Sequence, residues 1–489
     1  MVLFLHRKVY WILLAFFSLP IFLIGANGSH DWGDDFAQYI IQARNLVLGQ
    51  PMTSNGYQHD TVFPHIAVKA YPIGFPALIA PVFYFFQLQI HYYQLLMSLL
   101  LIMYGSVCFN FYKKHFSKFT ALCLSLCLIY HPWMLQFKDE VLSDLPMSIL
   151  FLIVITIWDK GIDEPRFFYK FSTALIALIS FKVIGITLLL AYVLWGIIRY
   201  IKEPARLWKF SSHSIKLSVT VIGCYVLINQ IFFNIQSQSF IEYYATAYEQ
   251  YNLWESIHRN IYYYNLVVKD FFYFRDTGFN YVSALFSNSI WLWLCLGLLC
   301  LIWTRSWVML STLVVYVTVI LCYPNSNGGF RFLLPILFIM LGALGLVLQV
   351  LLNKIRNYFH LNRLIVPLVA LLFYLPAVTS KAEELQFIRD GADKPEVKAD
   401  LQTIKKIVDG KVVCFAKPRL LYLYTALPAI SLLNDFDSKV TDAYLKRNNC
   451  TMLLHHLNIP DPSLDRYLDH HPATIVWQQH SFTLYKIVI

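Results

Sequence analysis

The segment VYWILLAFFSLPIFLIGA, residues 9–26, is an uninterrupted apolar run that follows the basic triplet HRK at residues 6–8. A helix of about 20 apolar residues crosses the ~30 Å hydrocarbon core of a bilayer, and this run is close to that length. It resembles a signal sequence, but it lacks a clear small-residue cleavage site and many apolar runs follow it. We therefore predict that it is retained as the first transmembrane helix.

The composition of the whole chain supports this prediction. The 489 residues are 58% hydrophobic and 14% charged, with a mean hydropathy of +0.53, which is too apolar for a soluble protein of this length. The pattern indicates an all-α polytopic membrane protein. Hydropathy and basic loops together predict about eleven spans, at residues 9–26, 91–112, 119–136, 145–158, 168–181, 183–199, 215–234, 286–304, 307–323, 332–352 and 364–380.

The net charge of +10 does not indicate nucleic-acid binding, because the basic residues cluster at the ends of alternate spans. This is the positive-inside pattern of membrane proteins. With eleven spans it places the N-terminus in the cytoplasm and the C-terminus outside. The basic loops are residues 6–8, 113–118, 159–170, 199–216, Arg305 and residues 353–363.

The same topology predicts outer loops at residues 27–90, 136–144, 235–285 and 323–331. Residues 381–489 lack apolar runs and alternate helix-like and strand-like segments, which predicts a small α/β domain outside the membrane, separate from a transmembrane domain at residues 1–380. Two of the nine cysteines, Cys414 and Cys450, lie in this domain. They either form a disulfide or are buried in the core.

The first outer loop contains three aspartates, Asp31, Asp34 and Asp35, before a segment with helical apolar periodicity that ends near Gly49. This predicts an amphipathic helix at the outer membrane interface, with its polar side chains facing away from the apolar ones. One of the aspartates is expected to cap the helix, but a cap requires only one carboxylate.

Further charged residues are predicted at the outer ends of spans. Lys182 lies in an apolar segment and either snorkels to the interface or binds an anion. Arg331 follows two glycines and is suited to phosphate, although a loop arginine at a lipid headgroup fits equally well. A further outer cluster consists of Lys138, Asp139, Glu140 and Asp144. These residues either form part of a functional site or are simply solvated in a loop.

Several of these segments together resemble the integral-membrane glycosyltransferases of the GT-C class. The chain is most similar to bacterial relatives of dolichyl-phosphate-mannose protein mannosyltransferases, that is, to glycosyltransferase family 39, and of the aminoarabinose lipid A transferase. The resemblance covers residues 9 to about 380. It rests on the segments GDDFAQYIIQARNLVLG (33–49), YPIGFPALIAPVF (71–83), LSDLP (142–146), SFKVIGITLLL (180–190) and GGFRFLLPILFIM (328–340).

The resemblance implies a multi-spanning fold whose first outer loop carries an acidic pair, commonly Asp-Glu, with the first residue as the catalytic base. Asp34 matches the base, and Asp35 stands in place of the glutamate. Where family members often have Thr-Lys or Thr-Arg, this chain has Phe181-Lys182, so the cation is retained and the hydroxyl is not.

The implied reaction is transfer of a sugar from a polyprenyl-phosphate donor to a hydroxyl of a lipid, glycan or protein on the outer face of a bacterial inner membrane, with inversion. Asp34 is expected to accept the proton, and Lys182 and Arg331 to bind the donor phosphate. Asp139, Glu140 and Asp144 are candidates to bind the acceptor, to orient the base or, with Asp34, to hold a divalent cation. Candidates of lower rank are His59 and Asp60, expected to be solvated loop residues, and Tyr71, in a proline- and glycine-rich turn.

Two other functions remain open at this point. A transporter or flippase of a lipid-linked saccharide requires charged or broken helices near mid-membrane, whereas the acidic residues here are predicted outside. The other function is that of a non-enzymatic membrane subunit or a polysaccharide-assembly partner. It is disfavoured because it does not explain why Asp34, Lys182 and Arg331 are all predicted on the same side of the membrane.

Overall fold

The structure is a computed structural model of the full chain. It describes the backbone of residues 2–60, 62–63, 68–161, 163–233, 252–271, 280–324, 328–359, 365–387, 390–433 and 437–487. Most of the predicted outer loop 235–285 and the centre of the loop 323–331 lie outside the described residues.

The chain divides into two units. The first consists of Met1–Ala26, Gln94–Ile228 and Tyr251–Phe387, and the second is built mainly from Asn27–Tyr93 and Ile388–Ile489. The division into domains at residue 380 stays a prediction. These two units differ from it because the first outer loop belongs with the C-terminal segment.

The first unit is helical, and a helix coincides with each of the eleven predicted spans. Long apolar runs favour helices in a membrane because every backbone polar group must be satisfied within the segment. The helices are Val2–Ser18, continued by a 3₁₀ turn Leu19–Leu23, then Ile90–Tyr112, Lys118–Ile129, Pro132–Asp139, Asp144–Asp159, Phe167–Phe181, Thr187–Tyr200, Pro204–Phe233, Leu253–Lys269, Asn280–Trp303, Trp307–Leu321, Leu337–Phe359 and Ile365–Gln386.

By length and apolar character, four helical segments among the described residues are able to cross a membrane alone, or five if one bent pair counts as a single span. The four are Ile90–Tyr112, Val183–Tyr200, Pro204–Phe232 and Gly329–Leu351. Shorter apolar helices of 10–17 residues are Lys8–Leu23, Gly74–Phe86, Phe167–Phe181, Ser287–Trp303 and Trp307–Leu321. The chain is therefore a polytopic membrane protein.

The predicted span at residues 119–136 is broken in the structure. Two helices, Lys118–Ile129 and Pro132–Asp139, meet at an angle of 49°. Proline at the start of the second helix explains the break, because it lacks an N–H and forces the preceding residue, His131, into an extended conformation.

The second unit begins with the helix Asp34–Leu48, which we call the Asp34 helix. It ends where predicted, at Gly49, whose φ of +65° is the left-handed conformation that favours glycine. The predicted cap is wrong: Gly33 occupies the N-cap position without a side-chain bond, and Asp34 and Asp35 lie in the first turn.

Three polar residues of the Asp34 helix are buried in the structure. Gln38, Gln42 and Asn45 are fully buried. Gln42 donates to the carbonyl of Tyr71, and Asn45 donates to the carbonyls of Pro51 and Ser54. The first outer loop therefore folds over the polar face of this helix, which periodicity alone does not reveal.

The C-terminal segment contains the predicted α/β domain. Strands β1 (Val412–Cys414), β2 (Ala429–Ile430), β3 (Cys450–His456), β4 (Ala473–Gln479) and β5 (Phe482–Ile487) form one sheet in the order β2-β1-β3-β5-β4. β1 pairs in parallel with β2 and β3, and β5 pairs antiparallel with β3 and β4. The helices Pro395–Val408, Pro418–Thr425, Ser438–Arg447 and Pro462–His470 belong to the same domain.

Cys414 and Cys450 are free and buried in the core of this domain. Of the two roles left open by the sequence, the structure thus shows core packing. The first outer loop joins the sheet edge, since Gln58 donates to the carbonyl of Ala429 and the Ala429 N–H donates to the carbonyl of Gly56.

Candidate functional site

Asp34 lies at the N-terminus of the helix Pro418–Thr425, which we call the Arg419 helix. Oδ1 of Asp34 accepts hydrogen bonds from the backbone N–H groups of Arg419 at 2.9 Å and Leu420 at 3.2 Å. These are orphan donors of a helix first turn, and the N-cap residue Lys417 makes no side-chain bond to them. Asp34 therefore serves as a capping carboxylate for a helix 385 positions further along the chain.

The second oxygen of Asp34 has a different environment. Oδ2 lies 3.4 Å from Nη1 of Arg419, and the Asp34 side chain keeps 21% of its surface exposed. The carboxylate is thus fixed through hydrogen bonds to Oδ1, while Oδ2 faces the arginine at a longer distance.

Arg419 is almost completely buried. Nη2 donates to the carbonyl of Val68 at 2.9 Å, and Nη1 lies 3.4 Å from the hydroxyl of Tyr71. The guanidinium also lies over the rings of Tyr57 and Tyr71, at 5.8 and 5.5 Å from their centroids. These contacts fix the charge close to the acidic pair, where it is poorly hydrated.

Tyr71 connects Arg419 to the second member of the acidic pair. Its hydroxyl donates a short hydrogen bond of 2.5 Å to Oδ1 of Asp35. Burial and the nearby Asp35 carboxylate raise the pKa of Tyr71 well above its usual value, so the phenol stays protonated as the donor. The structure thus brings Asp34, Asp35 and Tyr71 together, and adds Arg419.

Burial raises the pKa of Asp34, although Arg419 and the Leu420 N–H act in the opposite direction. The negative charge of Asp35 raises it further, and Lys417 lowers it. A carboxylate with a raised pKa is a stronger base than an ordinary aspartate.

The other two candidates of the first outer loop lie elsewhere in this unit. Asp60 is not solvated as expected: its side chain is 1% exposed and accepts from Nε of Arg447 at 2.8 Å and from the side chain of Asn448 at 2.9 Å. His59 packs against the ring of Tyr57. Asp60 therefore binds the loop to the helix Ser438–Arg447.

The first unit contains a separate ionic cluster around Asp144. Oδ1 accepts a hydrogen bond from Nζ of Lys182, and Oδ2 accepts from Nε of Arg331 at 2.7 Å. The Asp144 side chain is 1% exposed, whereas those of Lys182 and Arg331 are 20% and 21% exposed. One carboxylate thus holds two cations in fixed positions, with a net charge of +1.

The backbone explains how the two cations reach Asp144. Lys182 is the single extended residue between the helix Phe167–Phe181 and a 3₁₀ turn, Val183–Ile186. Arg331 lies in the 3₁₀ segment Gly329–Ile336, whose first N–H donates to the hydroxyl of Tyr263 at 2.8 Å. Both cations therefore project from irregular backbone at helix ends.

Asp139 and Glu140 are buried rather than solvated in a loop. Asp139 forms an ion pair with the fully buried Lys138 and accepts from the N–H of Ala26 at 3.2 Å. The turn at Gly25 has φ +66°, and a Cβ at that position would lie 1.8 Å from Asp139 Oδ2. Glu140 accepts from the side chain of Gln136. Among the described residues, no three His, Cys, Asp or Glu side chains are grouped so as to hold a metal ion.

The overall structure resembles solved membrane transferases. ArnT from Cupriavidus metallidurans, in the apo state and bound to undecaprenyl phosphate, aligns with a TM-score of 0.56 and 12% identity over 98% of both chains. The archaeal oligosaccharyltransferase AglB from Archaeoglobus fulgidus, in complex with an inhibitory peptide and a dolichol-phosphate, aligns with a TM-score of 0.60 and 11% identity over 99% of this chain and 75% of that one. The chain has the GT-C fold. No protein-family model and no curated protein matches the sequence.

The GT-C fold confirms the fold class that the sequence resemblance implied. The sequence predicts the acidic pair, Tyr71, Lys182, Arg331 and Asp144 as candidates, but it does not single out Arg419. The one local signal for Arg419 is the preceding Pro418, which favours the first position of a helix and hence a cluster of free N–H groups.

Proposed function

We propose that this protein is a glycosyltransferase that transfers a sugar from a polyprenyl-phosphate donor to a hydroxyl group. The observation that carries the proposal is the fixed pair of cations, Lys182 and Arg331, on one buried carboxylate in a chain with the GT-C fold. Solved proteins of this fold include one bound to undecaprenyl phosphate and one to a dolichol-phosphate, which supports a donor of the same class.

Lys182 and Arg331 bind the donor phosphate in this proposal. Asp144 accepts hydrogen bonds from Nε of Arg331 and from the Lys182 ammonium, so it orients both groups before the donor binds. Their net positive charge favours a phosphate, and it favours still more the charge that develops on the phosphate as the sugar leaves. Asp144, a candidate for binding acceptor or metal, is thereby assigned to positioning the cations.

Asp34 is the general base. The acceptor oxygen attacks the anomeric carbon and forms the new glycosidic bond as its proton passes to Asp34. The bond from the anomeric carbon to the phosphate oxygen breaks, and its electron pair stays on the phosphate. Because the leaving group is already an anion, the reaction needs no strong general acid, and a direct displacement inverts the anomeric centre.

The environment of Asp34 supports this role. Its Oδ1 is held by two N–H groups, its side chain keeps 21% of its surface exposed, and its pKa is raised chiefly by burial. Asp35 is bound by the hydroxyl of Tyr71 and contributes by its negative charge, which also raises the pKa of Asp34. The two carboxylates therefore have different roles: Asp34 is the base, and the negative charge of Asp35 raises the pKa of Asp34.

The acceptor is a hydroxyl of a lipid, a glycan or a protein, and the reaction takes place on the outer face of a bacterial inner membrane. The basic loops support this orientation by the positive-inside rule, with the N-terminus in the cytoplasm and the C-terminal domain outside.

The test is to incubate the purified protein with a panel of undecaprenyl-phosphate and dolichyl-phosphate sugars and to measure released lipid phosphate, with and without EDTA. Release that depends on an added acceptor is the expected result. Movement of a lipid-linked sugar across vesicles without cleavage of its glycosidic bond contradicts the proposal and favours a flippase. Loss of release in EDTA, restored by a divalent cation, shows that a metal ion takes part.

A further inference from the structure

The contacts of Asp34 come mainly from the C-terminal segment. The Arg419 helix supplies two backbone N–H groups and one guanidinium to Asp34. Asp34 itself lies in the first turn of the Asp34 helix. Both helices belong to the second unit of the chain. The environment of this carboxylate is therefore set by residues that are distant in sequence.

We infer that Arg419 is a positioning residue for Asp34, and that the C-terminal domain thereby contributes directly to the reacting carboxylate. This inference rests on the proposed function, in which Asp34 is the base. The C-terminal domain then takes part in orienting the base, through the Arg419 side chain and the N-terminus of the Arg419 helix.

The geometry of Arg419 suits orientation rather than contact with substrate. One end of the guanidinium is anchored on the carbonyl of Val68, and its central carbon lies 5.8 and 5.5 Å from the ring centroids of Tyr57 and Tyr71. The remaining end approaches both Asp34 Oδ2 and the Tyr71 hydroxyl at 3.4 Å. The planar guanidinium therefore lies next to Asp34 directly and is linked to Asp35 through the Tyr71 hydroxyl, which donates to Asp35.

The distance of 3.4 Å is important for the chemistry. A close, bidentate pair with arginine would fix the carboxylate firmly but would also weaken it as a base. Here the backbone N–H groups supply the short contacts at 2.9 and 3.2 Å, and the full charge remains further away. Asp34 is consequently held in place mainly by the N–H groups, while Arg419 at 3.4 Å lowers its basicity less than a closer, bidentate pair would.

The titratable and charged groups that act on Asp34 are Arg419 and Lys417 from the C-terminal segment, Asp35 from its own helix, and Tyr57 from the first outer loop. Tyr71, from the same loop, contacts both Arg419 and Asp35. Arg419 has the largest effect of these charges on Asp34, and it lowers the pKa. Its removal is therefore expected to raise the pKa of Asp34 further.

A test that does not depend on turnover is the pH profile of carbodiimide labelling at Asp34. A carbodiimide reacts with a protonated carboxyl group, and an added amine traps the product as an amide that peptide mass spectrometry detects. In the full-length protein, Arg419→Gln is expected to raise the pH midpoint of labelling at Asp34 by about one unit. Arg419→Lys is expected to keep the midpoint within about half a unit of that of the wild type.

The matched control is Arg447→Gln, because Arg447 is another arginine of the C-terminal segment that pairs with an aspartate of the first outer loop, Asp60. It is expected to leave the Asp34 midpoint unchanged. A folded Arg419→Gln variant with the wild-type midpoint overturns the inference.

Arg419→Lys decides the matter if Arg419→Gln fails to fold. An ammonium retains the charge but cannot reach Asp34, Tyr71 and Val68 together, so kcat with the donor that turns over in the panel is expected to fall about ten-fold while the KM for donor stays constant. A wild-type kcat in this variant overturns the positioning role.

The two proposals fail in different ways. A panel in which no donor releases lipid phosphate removes the proposed function, while the labelling midpoint still tests the effect of Arg419 on Asp34. A turnover assay that succeeds, combined with an unchanged midpoint in Arg419→Gln, removes only the role of Arg419.

Discussion

Asp34 and Asp144 are both the first residue of a helix and both pair with an arginine, yet their surroundings differ. Asp144 gives one oxygen to Lys182 and the other to Arg331, and its side chain is 1% exposed. Asp34 gives one oxygen to two backbone N–H groups, keeps its arginine at 3.4 Å, and is 21% exposed.

The difference agrees with the two roles proposed for these carboxylates, a general base for Asp34 and a counter-ion for Asp144. Backbone dipoles orient a carboxylate through hydrogen bonds, whereas two full cations compete with any proton for its lone pairs. Asp144 is therefore suited to be the counter-ion that orients Lys182 and Arg331. Asp34 retains an oxygen able to accept a proton, which is what a general base requires.

Of the substitutions that test this difference between Asp34 and Asp144, Asp34→Asn is expected to have the largest effect, and the effect is on the rate of transfer. The amide oxygen still accepts from the N–H groups of Arg419 and Leu420, so the protein folds, but the group no longer takes a proton. Transfer is expected to fall by about 10²–10⁴-fold, the usual contribution of a general base. The rate of lipid-phosphate release by the purified variant measures this.

Asp31→Asn is the control for that experiment, since Asp31 lies in the same loop, accepts from the Gly33 N–H, pairs with His30, and has a side chain that is 51% exposed. Its rate is expected to stay within about two-fold of the wild type. If Asp34→Asn retains more than a tenth of wild-type activity, Asp34 is not the base.

Much of the fold could be predicted from the sequence because it depends on local physical rules. Apolar runs of sufficient length indicated the helices of the first unit, and the periodicity of residues 381–489 indicated a mixture of helices and strands, although not the short strand β2 or the division between β4 and β5. The break at Pro132 follows from proline chemistry, but hydropathy averaged over the run conceals it.

The surroundings of the candidate residues could not be predicted in the same way. Asp34 and Arg419 are 385 positions apart, and nothing in a single sequence indicates that a side chain caps so distant a helix. The burial of Gln38, Gln42 and Asn45 has a similar cause, because a loop supplies partners that a periodicity argument assigns to water. Charged residue types were thus identified, but their partners depend on tertiary contacts.

Asp144→Asn is expected to have the second largest effect, and one of a different kind. Lys182 and Arg331 lose the charge that neutralises them, which is expected to destabilise the fold by about 1–3 kcal/mol, less than for fully buried cations because each is about one-fifth exposed. Transfer is expected to fall only about ten-fold, because the phosphate-binding groups remain but lose their orientation. Thermal unfolding in detergent and donor kinetics measure the two effects.

Asp159→Asn provides the comparison at the other end of the same helix, Asp144–Asp159. Asp159 pairs with Lys114 in a partly exposed ion pair, which contributes little to stability. If Asp144→Asn unfolds at the same temperature as Asp159→Asn, the counter-ion role of Asp144 is refuted.

The smallest expected effect concerns Asp60, a third aspartate paired with an arginine, whose carboxylate we expect to stabilise the fold. Burial opposes its charge, but hydrogen bonds from Arg447, the Val62 N–H and Asn448 together lower its pKa below the usual value. A lowered pKa means that the ionised form stabilises the fold above the ordinary value of about 3.9, and that this stability is lost as the pH falls through the lower value of the folded state. Asp60→Asn is therefore expected to reduce stability by about 1 kcal/mol at pH 7. Its thermal midpoint should approach that of the wild type as the pH falls through the lowered pKa of Asp60 in the folded state, where Asp60 itself becomes neutral. A difference that stays constant with pH would show that the carboxylate charge contributes nothing to this contact.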